Sequence, residues 1–177
     1  MAVTFPKDRT TAGFSLIEMM VVVIMIIVLF SIAAPSWLSF INSRRANTAR
    51  DQIAQAIRQA QSEAIRSRVC YAVRLDPVAT IPTVDIIRDG CNNDTPPAPN
   101  RPTQLGEGQF SPGMISLQTD APGNTIVFDA NGNILEDGET VPISVAVTTS
   151  TGTKRCVIVE TLLGATRNAS GGEQGCS

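Results

Sequence analysis

Between Met19 and Ser43 the chain carries no charged side chain, and the stretch opens with GFSLIEMMVVVIMIIVLF, residues 13–30. A bilayer span needs about 20 mostly apolar residues. Residues 14–37 meet that length, and in lipid such a segment must satisfy its own backbone hydrogen bonds, which makes it a helix. One residue breaks the pattern. Glu18 sits near the head of the run, although a charge at the centre of a membrane helix costs about 2.5–3.5 kcal/mol or more. Any account of the chain has to make that carboxylate tolerable.

Two ordinary readings of the run fail to do so. In a removable secretory signal, Lys7 and Arg9 would be the basic region and Ser31-Ile32-Ala33 the cleavage step. Glu18 then interrupts the apolar region, which also exceeds the roughly 7–15 residues usual there. In a plain anchor, Arg44, Arg45 and Arg50 just past the run outnumber the basic residues before it. The positive-inside bias would then put the C-terminal part in the cytoplasm. The cysteines point the other way. Cys70, Cys91, Cys156 and Cys176 all follow the apolar run, and an even, widely spaced set beyond an apolar leader reads as two disulfides in an oxidising compartment.

The third reading accounts for Glu18. Gly13-Phe14-Ser15-Leu16-Ile17-Glu18, followed by the apolar run, resembles the processing site of type IV prepilins. That resemblance implies cleavage between Gly13 and Phe14, so that residues 1–13 are a leader. It implies N-methylation of Phe14 by the same peptidase, and a Glu18 that pairs with a neighbouring subunit's terminal amine. The physics agrees: an amine and a carboxylate that have both lost hydration attract strongly, and either left alone is costly. Pro35 sits where it removes a backbone hydrogen bond and bends a long helix, and pilin helices carry a similar proline.

Beyond Pro35 the helical pattern continues to residue 68 without Gly or Pro. Ile53, Ile57, Ala60 and Ala64 recur at spacings of three and four, one apolar stripe. Gln52, Gln55, Arg58, Gln59 and Ser62 occupy the other faces. Residues 14–68 would reach about 80 Å at 1.5 Å per residue. Residues 44–68 have a net charge of +4 and residues 69–177 of −6. The helix arginines could be solvated, meet anionic lipid headgroups, or pair with acidic faces of neighbours. The acidic domain lacks the basic surface of a broad nucleic-acid footprint.

After residue 68 the pattern turns to strands, at 69–75, 83–88, 114–118, 125–129, 141–149 and 155–161. Asp89-Gly90 and Asn131-Gly132 read as tight turns, and Ser150-Thr151-Gly152 joins the last two long strands. Residues 90–113 hold Pro96, Pro97, Pro99, Pro102 and Pro112 and read as an irregular loop. A hairpin of the first two strands would bring Cys70 near Cys91. The Gly-rich tail from residue 168 would fray unless Cys176 ties it down, most simply to Cys156. Other pairings stay open. The fold expected is therefore α+β: a long N-terminal helix, residues 14–68 with 14–37 in the membrane, on an antiparallel sheet domain at 69–177.

Two local patterns bear on chemistry. Asp129, Asn131 and Asn133, with Glu136, Asp137 and Glu139 downstream, place oxygens at alternate positions, as calcium prefers. The glycine and terminal-acid spacings do not match, so a hairpin turn is the better reading. The Gly164-Ala165-Thr166-Arg167 segment and the Phe128-to-Gly132 turn resemble the GspH/FimT family of minor pilins and pseudopilins. Some members of that family bind DNA through a Gly-Arg-x-Arg segment. Here Gly164 and Arg167 match while Ala165 replaces the first arginine, and phosphate binding gains from several cations.

The resemblance implies a minor pilin or pseudopilin of a type IV pilus or a type II secretion pseudopilus. Its partners would be other pilins, the prepilin peptidase/methylase, the inner-membrane assembly platform and the lipid bilayer. It would be a single-pass protein of the bacterial inner membrane with its C-terminal domain in the periplasm, later part of a filament. The alternatives are a DNA-binding minor pilin for natural transformation and a free periplasmic binding module released by ordinary signal cleavage. The sequence has no His, which excludes His-based acid–base catalysis and His-ligated metal. No Cys-x-x-Cys pair suggests zinc. No enzyme activity, cofactor or metal is expected.

Overall fold

The computed structural model describes residues 13–88, 91, 102–106, 108–135 and 141–176. The leader up to residue 12, the Asp89-Gly90 turn, half of the Pro-rich loop, and Glu136, Asp137 and Glu139 lie outside the described residues. The chain divides into two compact units, Met1–Ser39 and Phe40–Ser177. One helix, α1 (Leu16–Ser67, 52 residues), contributes to both.

In the first unit the α1 residues from Leu16 onward project an unbroken apolar surface. Every described apolar side chain from Phe14 to Ile32 is exposed, Leu16 to 85% and Phe30 to 72%. This helix is long and apolar enough to cross a membrane. Its one hydroxyl-bearing residue in mid-run, Ser31, donates back to the carbonyls of Ile27 and Val28, so that hydroxyl is not left for lipid to satisfy. The helix continues through residue 35, the position of Pro35.

The second unit is built on the rest of α1. Ala46, Ala49, Ile53, Ile57, Ala60 and Ala64 are all fully buried at spacings of three and four. The apolar stripe of the sequence thus runs further toward the N-terminus than Ile53. Alanine at most of these positions keeps the helix axis close to the strands beneath it, and each of the two isoleucines contributes about 1.5–3 kcal/mol by burial. The helix stops at Arg68, which takes a left-handed φ of 57°, a terminating conformation more often supplied by glycine.

The strands form two four-stranded sheets rather than one. They are β1 (Tyr71–Asp76), β2 (Thr83–Arg88), β3 (Thr103–Gln104), β4 (Ile115–Thr119), β5 (Thr125–Phe128), β6 (Ile143–Thr149), β7 (Lys154–Val159) and β8 (Thr166–Ser170). The first sheet has the order β3-β2-β1-β5, the second β4-β6-β7-β8, and all pairs are antiparallel. Alternate residues point inward, as the two-residue strand period requires. Val73, Leu75, Ile126 and Phe128 of one sheet and Leu117, Val145, Val147, Val157 and Val159 of the other join the α1 stripe in a single core. Ala146, Cys156, Ile158 and Ala169 face the other way and form a small second cluster with Cys176.

The structure joins Cys70 to Cys91 and Cys156 to Cys176, and no described cysteine is free. Two features go beyond the expectations. Cys176, 1% exposed, ties the tail to Cys156 as expected, and residues 166–170 add a strand, β8, paired with β7. Its polar sequence hid a strand because most of its side chains reach solvent while its backbone completes the ladder. The Pro-rich loop is also not wholly irregular. Residues 103 and 104 pair with β2, and Leu105 and Phe110 are buried in the core.

Candidate assembly site

The residues at the head of α1 belong to the first unit. Ser15 carbonyl oxygen accepts from the amides of Glu18 and Met19, which places Glu18 in the first helical turn. There its negative charge complements the partial positive charge of the helix N-terminus. The side chain is exposed, and among the described residues no cation lies within ion-pair distance of it. A Cβ added at Gly13 would meet nothing within 4 Å. Phe14 is 77% exposed. The segment therefore presents an open backbone, an aromatic residue and one unpaired carboxylate at the start of an apolar rod.

The other candidate, Gly164 with Arg167, is built into the fold. Gly164 has a φ of 76°, and a Cβ there would lie 2.6 Å from Gln61 Nε2 and 3.1 Å from the Phe128 ring. Gln61 is the reason. From α1 its amide donates to the carbonyl oxygens of Gly132 (2.9 Å) and Leu163 (2.7 Å), so one side chain ties the helix to both the Asn131-Gly132 turn and the loop between β7 and β8. Arg167 lies on β8, where its guanidinium donates to Glu160 and to the carbonyl oxygen of Gln174. Arg167 is thus held on both sides, with its side chain still 41% exposed.

Replacing Gly164 with alanine is expected to lower unfolding free energy by about 2 kcal/mol, because a left-handed φ costs an L-residue about 1–2 kcal/mol and Gln61 must also move. Denaturant titration of the full chain in detergent measures it, and an unchanged midpoint would remove the packing role given to this glycine.

The Asp129 turn is likewise self-contained. Its carboxylate accepts from the backbone amides of Asn131 and Asn133 (each 2.8 Å) and from the Asn133 side chain. Partial burial alone would raise the Asp129 pKa, but these donors outweigh it and hold the carboxyl below the usual carboxylate range. Asp85 behaves oppositely. Burial pushes its carboxyl up, against the Ile86 amide and the Arg74 guanidinium opposite it across the β1–β2 ladder. No group of three or more Cys, Asp or Glu side chains that could hold a metal occurs among the described residues.

Gln61 and Gln52 were not recognisable as anchors. Gln52 Oε1 accepts from the Gly106 amide at 2.6 Å. Both look like ordinary polar-face residues, since their partners lie 54 to 102 positions away.

A family model described as type II transport protein GspH matches residues 49–163. In fold the chain is similar to the type IV minor pilin FimU of Pseudomonas aeruginosa (strain PAO1), with a TM-score of 0.54 at 15% identity, over 78% of this chain and 99% of that one. It is also similar to the minor pseudopilin EpsH of the Vibrio cholerae type 2 secretion system, with a TM-score of 0.48 at 14% identity, over 73% and 99% of the two chains. No curated protein matches the chain.

Proposed function

Because this chain belongs to the GspH family of type II transport proteins, as a minor pilin or pseudopilin that assembles with other pilins in a filament, we propose a specific route for its entry into that filament. The precursor lies in the inner membrane with residues 14–37 as its span and the unit Phe40–Ser177 in the periplasm. The prepilin peptidase cuts between Gly13 and Phe14 and methylates the new amine. The assembly platform then moves the subunit out of the membrane, and Glu18 pairs with the terminal amine of a neighbour and sets its register.

The observation that carries this reading is the unpaired Glu18 carboxylate at the head of a fully exposed apolar helix. A carboxylate so placed is stabilised by a partner cation and costly without one. The apolar surface that faces lipid in the single subunit faces other helices in the filament, so one sequence serves both surroundings. Pro35 belongs to the same segment, where a proline removes a backbone hydrogen bond. The β-sheet unit supplies partner contacts.

Intact-mass and N-terminal peptide analysis of the mature protein tests the route. Methylated Phe14 at the N-terminus is the expected result. An N-terminus near Ala34 would make the protein a released periplasmic module and end the filament reading. DNA contact through Gly164 and Arg167 is not favoured, given the partners those residues already have.

A further inference from the structure

We propose that residues 40–45 form a docking band for anionic phospholipid headgroups in the leaflet facing the sheet-bearing unit, with Arg44 and Arg45 as its cations. The proposal rests on the membrane reading of residues 14–37 given above. Phe40 is 52% exposed, and the Arg44 guanidinium lies over its ring, 4.9 Å from the centroid. Long helical side chains lean toward the N-terminus, so this stacking draws the charge back toward the apolar run, the posture of a snorkelling arginine at a bilayer surface. Arg45 does the same one residue on: its Nη1 donates to Asn42 Oδ1 at 3.3 Å. Among the described residues no carboxylate lies within ion-pair distance of either. Arg50 differs, with its guanidinium on Asp51 at 2.7 Å and its side chain only 18% exposed.

Chain length puts these two cations at the right depth. Arg44 follows Trp37 by seven residues, about 10 Å of helical rise. The headgroup region on each side of the hydrocarbon is about 5–8 Å thick, and an arginine side chain that leans back spans the difference. Aromatic residues followed by basic ones are also the order expected where a helix leaves lipid on the side of an anionic surface. The charges that looked misplaced for a periplasmic domain are then a lipid contact that holds the unit on the membrane before assembly. Among the described residues, the carboxylates of Asp129 and Glu160 are already held by their own amides or arginine and are not open to a neighbour's arginines.

The sole tryptophan, Trp37, is a built-in probe. The full chain is reconstituted in vesicles of phosphatidylcholine and phosphatidylglycerol in fixed ratio, with bromine placed on one lipid or the other. Brominated phosphatidylglycerol should quench Trp37 more than brominated phosphatidylcholine, with a selectivity of several-fold, since a basic residue near an anionic surface gains on the order of five-fold. The Arg44→Ala/Arg45→Ala variant should lose the selectivity. Arg44→Lys/Arg45→Lys should keep it, and 0.5 M salt should weaken it (a Debye length of about 4 Å). Equal quenching by both lipids in the unaltered chain, or selectivity unchanged by the alanine pair, would overturn the band. Quenching by neither lipid would mean that Trp37 does not reach the bilayer, and the membrane reading would fall along with it.

Discussion

Chains carrying Glu18→Val are expected to be cut and inserted normally but to be recovered from sheared filaments at least about tenfold less often than the unaltered protein. Valine suits the apolar run and leaves the helix intact, and the Glu18 side chain has no partner among the described residues whose loss would disturb the fold. On the proposed route, what changes is the neighbour's amine, left without a counter-charge in low dielectric. Stranding one member of a buried pair costs about 3–5 kcal/mol, and each 1.4 kcal/mol is a factor of ten in an equilibrium. Glu18→Gln should fall between the two, since it keeps an acceptor oxygen without the charge. Immunoblots of sheared and membrane fractions measure the distribution. Valine chains entering filaments at the normal share would remove amine pairing from the mechanism.

Gly13→Asp should leave essentially all of the protein as full-length precursor. The geometry makes this a clean test of cleavage. A Cβ at residue 13 meets nothing within 4 Å among the described residues, so the substitution displaces no packing there. It acts where a peptidase must draw the backbone into its own site, and a charged branch at the bond to be cut blocks close approach. Gly13→Ala should be cut partially. Intact mass separates precursor from product, and full processing of the aspartate variant would show that the cut lies elsewhere.

The helix and the long strands were legible because each has a strong period. The α1 stripe repeats every three or four residues, β6 largely alternates over its seven residues and β7 ends in a run of four buried apolar ones, so local sequence carries their burial. The edge elements were not legible for a physical reason. β8, with Thr166, Arg167, Asn168 and Ser170, buries little side chain and owes its place to backbone pairing with β7. β3 is two residues next to Pro102. The division into two sheets was also out of reach, since strand order is a property of pairings between distant segments. At the candidate site, Gly13, Phe14 and Glu18 could be read from a contiguous motif. The partners of Gly164 and Arg167 could not, because Gln61, Glu160 and Gln174 meet them only once the chain has folded.

Gln52 and Gln61 have a mechanical consequence. A filament subunit is loaded along its helix, and a purely apolar seam resists shear poorly, since one alanine slides past a valine for little loss. Two amides gripping Gly106, Gly132 and Leu163 act as cleats: a slip of one residue, 1.5 Å, breaks every grip together. Tension on the rod therefore reaches both sheets at once instead of peeling them off strand by strand.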